Sequence, residues 1–305
     1  MVNTENSLLV EKYRPTNLNN YVGNESIKKS ISNYIGQNDI QNLIFYGPAG
    51  TGKTTLAKLI IKNIDCDYIY INASDERGIE TIRDKVSGFA SVASFKPLKV
   101  IILDEADFLT IQAQASLRNI IETFSRTTRF ILTCNFIERI IDPLQSRCQT
   151  LKIVPPSKLD IVKHLNKITD KEGIKVSKIN DLAMVVNNNY PDIRKMLNTI
   201  QLSTQDNQLK LDKSILVSSN YMDKILSELS ENKPSFTKIR QTIADANVDD
   251  FDELFRFLYE NAAKFLPNKE GTATALINDH QYKANFRIDK EINIMSLINN
   301  LIINK

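Results

Sequence analysis

The stretch GPAGTGKT, residues 47–54, concentrates residue types that handle phosphate. Gly47, Gly52, Lys53 and Thr54 satisfy the spacing G-x-x-x-x-G-K-[ST] in full. Glycines at these places let the backbone wrap a phosphate chain with its N–H groups turned inward. The lysine can reach the β- and γ-phosphates of a nucleoside triphosphate, and the threonine hydroxyl can hold Mg²⁺. The chain has only nine glycines in 305 residues, so three within six positions ask for a reason. An ordinary glycine turn is the alternative, but it leaves the apolar run before the loop and the helical pattern after it unexplained. The nucleotide-binding candidates of the loop are Gly47, Gly50, Thr51, Gly52, Lys53, Thr54 and Thr55.

A second group stands at the end of another apolar run, in VIILDEAD at 100–107. Asp104 can bind Mg²⁺ through its coordination shell, and Glu105 can polarise a water for in-line attack on a γ-phosphate. Asn135 follows a third such run, FILTC, where its amide could hold the attacking water or sense the γ-phosphate. A fourth candidate is Arg147 in DPLQSRC, at 142–148. Its guanidinium offers fixed, permanently charged donors suited to phosphate, and nothing close to it in sequence supplies a negative charge. The plainer alternative is an arginine that caps the entry to a strand. The candidate catalytic residues are therefore Lys53, Glu105, Asn135 and Arg147, and the candidate metal ligands are Thr54 and Asp104.

Elements that would position these residues are legible as alternating patterns. NLIFY (42–46), YIYIN (68–72), VIILD (100–104), FILTC (130–134) and TLKIV (150–154) are short, continuously apolar and rich in branched residues, like strands buried on both faces of a parallel sheet. Helical patterns such as 53–64 and 113–124 separate them, so the fold class over 1–155 is α/β. After Pro155-Pro156 no convincing strand is found. Ser157 with Asp160 starts a helix over about 157–171 that Gly173 is placed to end, and helices over 178–188 and 191–204 follow, with Pro191 suited to a first turn. Residues 156–210 form a small helical domain, KLDKS (210–214) is the candidate linker, and 211–305 form a second all-α domain. There MDKILSEL, FTKIRQTIADA, FDELFRFLYENAAKFL and INIMSLINNLII carry three-to-four apolar spacing.

Composition narrows the class. Hydrophobic content of 42% and charged content of 25% are those of a globular protein, and no run approaches the roughly 20 apolar residues of a membrane span. The opening MVNTENSLLV has no basic stretch followed by an apolar core, so no secretory signal is expected. Three cysteines lack C-x-x-C spacing, which speaks against a zinc site or disulfide framework and suits a reducing cytoplasm. The net charge of +3 neither proves nor excludes a basic surface for nucleic acid.

Taken together, EKYRP (11–15), NASDERGIETIR (72–83), ILDEAD (102–107), QASLRNIIE (114–122), LQSRC (144–148) and PDIRKMLN (191–198) resemble the AAA+ ATPases, and among them the sliding-clamp loader subunits of replication factor C and of T-even-type phages. The resemblance runs through about the first two-thirds of the chain. It implies an AAA+ P-loop domain, a helical lid and a C-terminal helical collar, with ATP and Mg²⁺ as cofactors. It implies that Arg147 is an arginine finger reaching the γ-phosphate held by a neighbouring subunit, and that Arg194 is a sensor arginine acting in cis. Val10, Glu11, Lys12, Tyr13 and Val22 lie where the family packs its N-terminal segment around adenine. Arg77 and Arg83 lie in the segment that faces DNA, Arg77 at the position thought to couple DNA to the catalytic glutamate; a solvated basic face is the other reading of both. The helix from Gln112 to Phe124 resembles the one that docks on the clamp.

The partners implied are other clamp-loader subunits in a pentamer, a sliding clamp and primer–template DNA, with no membrane. The compartment would be the cytoplasm, a host's if the source is viral, or the nucleus if it is eukaryotic. Rival readings are a helicase loader or Holliday-junction motor, or a non-catalytic structural subunit. The last of these predicts a damaged P-loop or a missing acid, and both motifs are intact.

Overall fold

Branched apolar runs become five strands because their side chains can be covered on both sides at once. In the computed structural model, which describes residues 8–176, 178–211, 221–246, 251–284, 286 and 289–305, the strands are β1 (Leu43–Tyr46), β2 (Cys66–Asn72), β3 (Leu98–Asp104), β4 (Thr128–Cys134) and β5 (Gln149–Lys152). All pair in parallel, in the order β2-β3-β4-β1-β5. Alternate residues face opposite cores. Leu43, Phe45, Val100, Ile102 and Ile131 pack with Ile31, Leu56, Leu59 and Ile60. Ile44, Ile101, Leu103, Phe130 and Leu132 pack with Ile82, Val86, Leu117 and Ile121. Burial of such side chains is worth about 2 kcal/mol each, so the middle of this sheet is the rigid part of the unit.

The expected burial on both faces holds for β1, β3 and β4 but not for the edge strands. Tyr68 and Tyr70 are exposed on β2, and Gln149, Thr150 and Lys152 on β5. An edge strand has one neighbour fewer, and less of it is covered. Strands β2, β3 and β4 each begin two residues before the apolar run marks them.

The helices of this unit are α1 (Leu9–Lys12), α2 (Glu25–Gln37), α3 (Lys53–Asn63), α4 (Ile79–Thr81), α5 (Gly88–Ser91), α6 (Ile111–Thr123), α7 (Asp142–Gln145), α8 (Lys158–Lys171), α9 (Ile179–Asn189) and α10 (Ile193–Leu202). A π-helical stretch, Ile82–Ser87, joins α4 to α5. The Ser157 hydroxyl caps α8 by accepting from the Asp160 N–H at 3.1 Å, and Gly173 leaves that helix at φ +67°. Two sequence expectations need correction. Pro191 precedes α10 and is not in its first turn, because the Asp192 carboxylate takes the cap, accepting from the Lys195 N–H at 3.0 Å. A hairpin follows α10 where no strand was expected, Thr204–Gln205 against Gln208–Leu209. Its turn residues Asp206 and Asn207 both have positive φ, the type I′ geometry that suits a two-residue hairpin, while strands of two residues carry no apolar period to read.

The chain divides into two compact units between Leu209 and Lys210, at the N-terminal edge of the expected linker, whose residues 212–214 lie outside those described. The second unit has helices Tyr221–Ser230, Phe236–Ala246, Asp252–Glu260, Ala262–Phe265, Glu270–Ala284 and Lys290–Ile303 around its own core, which includes Ile225, Ile239, Leu254, Phe255 and Ile298. Glu270–Ala284 was not marked by the apolar pattern. Its buried positions are Ala273, Ile277, His280 and Ala284, three of them small or polar. The His280 ring lies against Asn293 Oδ1 at 3.1 Å and Asn300 Nδ2 at 3.2 Å, which satisfies both ring nitrogens.

Candidate active site

The register that pairs Tyr46 with Cys134 and Leu103 with Leu132 brings β1, β3 and β4 to an end at one level. The loop 47–52 leaves β1 there and opens α3. Gly47, Gly50 and Gly52 have φ of +143°, +70° and +94°. At Gly50 a Cβ would stand 1.9 Å from Asp192 Oδ1, and at Gly47 it would stand 2.5 Å from the Ile153 carbonyl oxygen. The loop is therefore pressed against both the sheet and the cap of α10, and only glycine fits.

Lys53 is buried. Its ammonium donates to the carbonyls of Gly47 and Pro48, each at 2.8 Å, and to Asn135 Oδ1 at 2.7 Å. Burial pulls its pKa below the usual lysine value, and nearby groups, among them Asp107, Asp104 and Glu105, act in the opposite direction. The Thr54 hydroxyl lies 2.8 and 3.0 Å from the two carboxylate oxygens of Asp104. Asp104 also accepts from the Tyr70 hydroxyl at 2.5 Å and from the Thr133 hydroxyl. The Glu105 N–H donates to Thr133 Oγ1 at 3.1 Å, and Glu105 sits at φ +55°, unusual for a non-glycine residue and enriched at functional sites. Thr133 thus ties the two acids together. Asp107 accepts from the N–H groups of Asn135 and Phe136 at 3.2 and 3.3 Å, which fixes the tip of β4.

Beside them opens a cleft of about 1040 Å³, counting the part open to solvent. Gly50, Thr51, Gly52, Lys53, Thr54, Thr55, Asp104, Glu105 and Asn135 line its polar end. Val10, Tyr13, Val22, His164, Leu197 and Arg194 line the rest. Gly47 contributes through the carbonyl that holds Lys53. Glu11 and Lys12 are not among the lining residues: Glu11 pairs with Arg14 at 2.6 Å and Lys12 with Glu172 at 2.6 Å. Tyr13 donates to the same Glu172 carboxylate, so the N-terminal segment is fastened to the end of α8.

Three arginines lie elsewhere. Arg77 is exposed, with Nε donating to the Ser74 carbonyl at 2.9 Å and its guanidinium 5.6 Å from the Phe108 ring. Arg83 is exposed on the π-helical stretch. Arg147 does not line the cleft that holds Lys53. It does have a negative partner, supplied by the fold and not by its neighbours in sequence: Glu122, on the last turn of α6, accepts from Nε at 2.6 Å and also from Nη2. Sequence reasoning missed Glu122 in this role, and also Tyr70, Thr133, Asp107 and Glu172. Thr133 left a faint signal, a lone polar residue late in the apolar run of β4.

An all-oxygen set of Thr54 and Asp104 beside a buried lysine suits a hard divalent cation and a polyphosphate. Residues 43–156 match the ATPase family associated with various cellular activities, AAA, and residues 158–217 match the lid domain of the sliding-clamp-loader large subunit. The chain carries an AAA ATPase domain followed by a clamp-loader lid domain. The chain is 44% identical over 199 residues to the replication factor C small subunit of Natronomonas pharaonis, covering 63% of this chain and 61% of that one. It is 42% identical over 199 residues to the replication factor C small subunit of Archaeoglobus fulgidus, covering 63% and 62%. It therefore spans about three-fifths of the length of these relatives. Among solved structures, the Thermotoga maritima RuvB Holliday junction branch migration motor matches with a TM-score of 0.53 at 15% identity over 83% of this chain and 80% of that one, a likeness of fold.

Proposed function

We propose that this protein is the ATP-hydrolysing subunit of a sliding-clamp loader, with an AAA+ domain over 1–155, a lid over 156–210 and a collar over 211–305. The observation that carries the catalytic part is the convergence of Lys53, Thr54, Asp104, Glu105 and Asn135 on one cleft, with Arg194 of α10 on its wall. The clamp-loader part is supported by the lid-domain match and the replication factor C relatives.

In this reading the amides of residues 50–55 cradle the phosphates of ATP and Lys53 turns from its three acceptors to the β- and γ-oxygens. Thr54 and Asp104 hold Mg²⁺, which supplies neutralisation of the charge on the phosphates. Glu105 takes the proton of the attacking water, and Asn135, already bonded to Lys53, senses the γ-phosphate or steadies that water. Val10, Tyr13 and Val22 enclose the base. Arg194 meets the nucleotide in cis. Arg147 completes the pocket of the next subunit in a ring of five. Arg77 and Arg83 face primer–template DNA, following its phosphates without reading bases. Among the described residues no helix is long and apolar enough to cross a membrane, and the work proposed for the chain is done on DNA, in the cytoplasm or the nucleus.

The test is phosphate release by the chain mixed with its partner subunits, clamp and primed DNA. Release should rise with DNA and clamp and vanish in Lys53→Ala. Release no greater than that of Lys53→Ala supports a structural subunit instead.

A further inference from the structure

Asp104 sits between two strands, each of which sends it a hydroxyl. On one side β2 runs in register with β3, Tyr70 opposite Ile102 and Asn72 opposite Asp104. The Tyr70 phenol reaches along the sheet to Asp104 Oδ2 at 2.5 Å. On the other side Thr133 of β4 donates to Oδ1. Each oxygen is therefore anchored from a different flank, and the carboxylate edge between them faces the Thr54 hydroxyl. The phenol ring is itself held, with the Lys58 ammonium 4.6 Å from its centre. Lys58 lies one helical turn beyond Thr54 on α3, so the same helix that carries the Thr54 ligand also steadies the ring that holds Asp104.

We propose that Tyr70 is a positioning residue that presets Asp104 for Mg²⁺, an inference that rests on the assignment of Asp104 to the metal. A hydroxyl bonded to an ionised carboxylate makes a charge-assisted bond, stronger than a neutral one. Partners of this kind, one shell out from a metal, orient the ligand, and their loss weakens metal affinity about 10–100-fold. Without Tyr70, Oδ2 would keep only the Thr54 hydroxyl at 3.0 Å, a group the metal would itself engage, and would be freer to swing. Tyr70 removes that freedom before the metal arrives. On the edge strand β2 Tyr70 stays 40% exposed while its hydroxyl reaches Asp104.

The experiment uses the full chain and a fluorescent ATP analogue, titrated in excess EDTA and then across a Mg²⁺ series. Tyr70→Phe keeps the ring and its contact with Lys58. It should bind the analogue in EDTA as the parent does, yet need about tenfold more Mg²⁺ for half of the metal-dependent tightening. Asp104→Asn, run beside it, should lose that tightening. If Tyr70→Phe shows an unchanged or lower Mg²⁺ requirement while Asp104→Asn loses the response, the role of Tyr70 is wrong and the metal assignment stands. An equal weakening of Tyr70→Phe with and without Mg²⁺ also overturns it, because that is what a merely structural tyrosine gives. If Asp104→Asn keeps the full response, the metal assignment falls and the proposal with it.

Discussion

Glu122 holds Arg147 through a single carboxylate oxygen, Oε1, which accepts from both Nε and Nη2 of the guanidinium. Pro143 accepts from Nη1 at 2.6 Å on the other side. Nη1 also donates to Ser146 Oγ at 3.4 Å, so four of the five N–H donors of the guanidinium are engaged within the chain. The second N–H of Nη2 is the donor left for another anionic partner while these contacts hold.

Arg147→Ala should leave nucleotide affinity within about twofold and cut hydrolysis by the assembled complex about 10³-fold, as loss of a trans arginine does. The comparison is between the assembly and a dilute monomer. An equal loss in the monomer would show that the arginine acts in cis. Glu122→Ala should change unfolding free energy by no more than about 1 kcal/mol, since the pair is partly exposed.

Glu105→Gln should bind ATP as tightly as the parent while turnover falls about 100-fold or more. The backbone N–H that meets Thr133 is untouched by the change, so the strand tip is kept. Single-turnover phosphate release distinguishes slow chemistry from slow product loss, and fast release would take Glu105 out of the base role.

Gly50→Ala meets two obstacles at once, a φ of +70° and the Asp192 carboxylate 1.9 Å from the new methyl. The expected cost is about 1–3 kcal/mol in unfolding free energy, together with weaker nucleotide binding as the cap of α10 is pushed aside. Asp192→Ala removes the clash but also the cap of α10, so it should cost less in the Gly50→Ala background than in the parent. Equal costs in the two backgrounds would mean that backbone strain, and not the clash, is responsible.

The Glu172 contacts predict a pH dependence. Hydrogen bonds from Lys12 and Tyr13 hold its carboxyl below the ordinary 4.5, and burial first, then Glu172 itself, pushes the Tyr13 hydroxyl up to about 12. A depressed carboxyl pKa gives stability that is present above 4.5 and is lost as pH falls through the folded value. A raised phenol pKa gives stability that is present below 10 and is lost as pH climbs towards about 12. Glu172→Gln should therefore lower the unfolding temperature at pH 7, by the equivalent of about 1 kcal/mol, and converge with the parent in acid. Thermal melts from pH 3 to 8 check this, and parallel curves for the two proteins would rule it out.

The phosphate loop was legible because its chemistry is local. Gly47 to Thr54 are contiguous, and their conformation follows from glycine at fixed spacing ahead of a helix. The central strands and most helices were legible for a similar reason, their apolar periods being written in single segments. The helix Glu270–Ala284 was not, because it buries alanine and a hydrogen-bonded histidine where the period looks for larger apolar side chains. Partnership was a different matter. Tyr70 and Asp104 lie 34 residues apart, Arg147 and Glu122 lie 25 apart, and Tyr13 and Glu172 lie 159 apart. Each pair meets only because strand order, register and helix docking are settled together by packing on both faces of the sheet. Residue type and spacing alone say which groups can handle a triphosphate; packing in three dimensions chooses the neighbours that hold those groups in place.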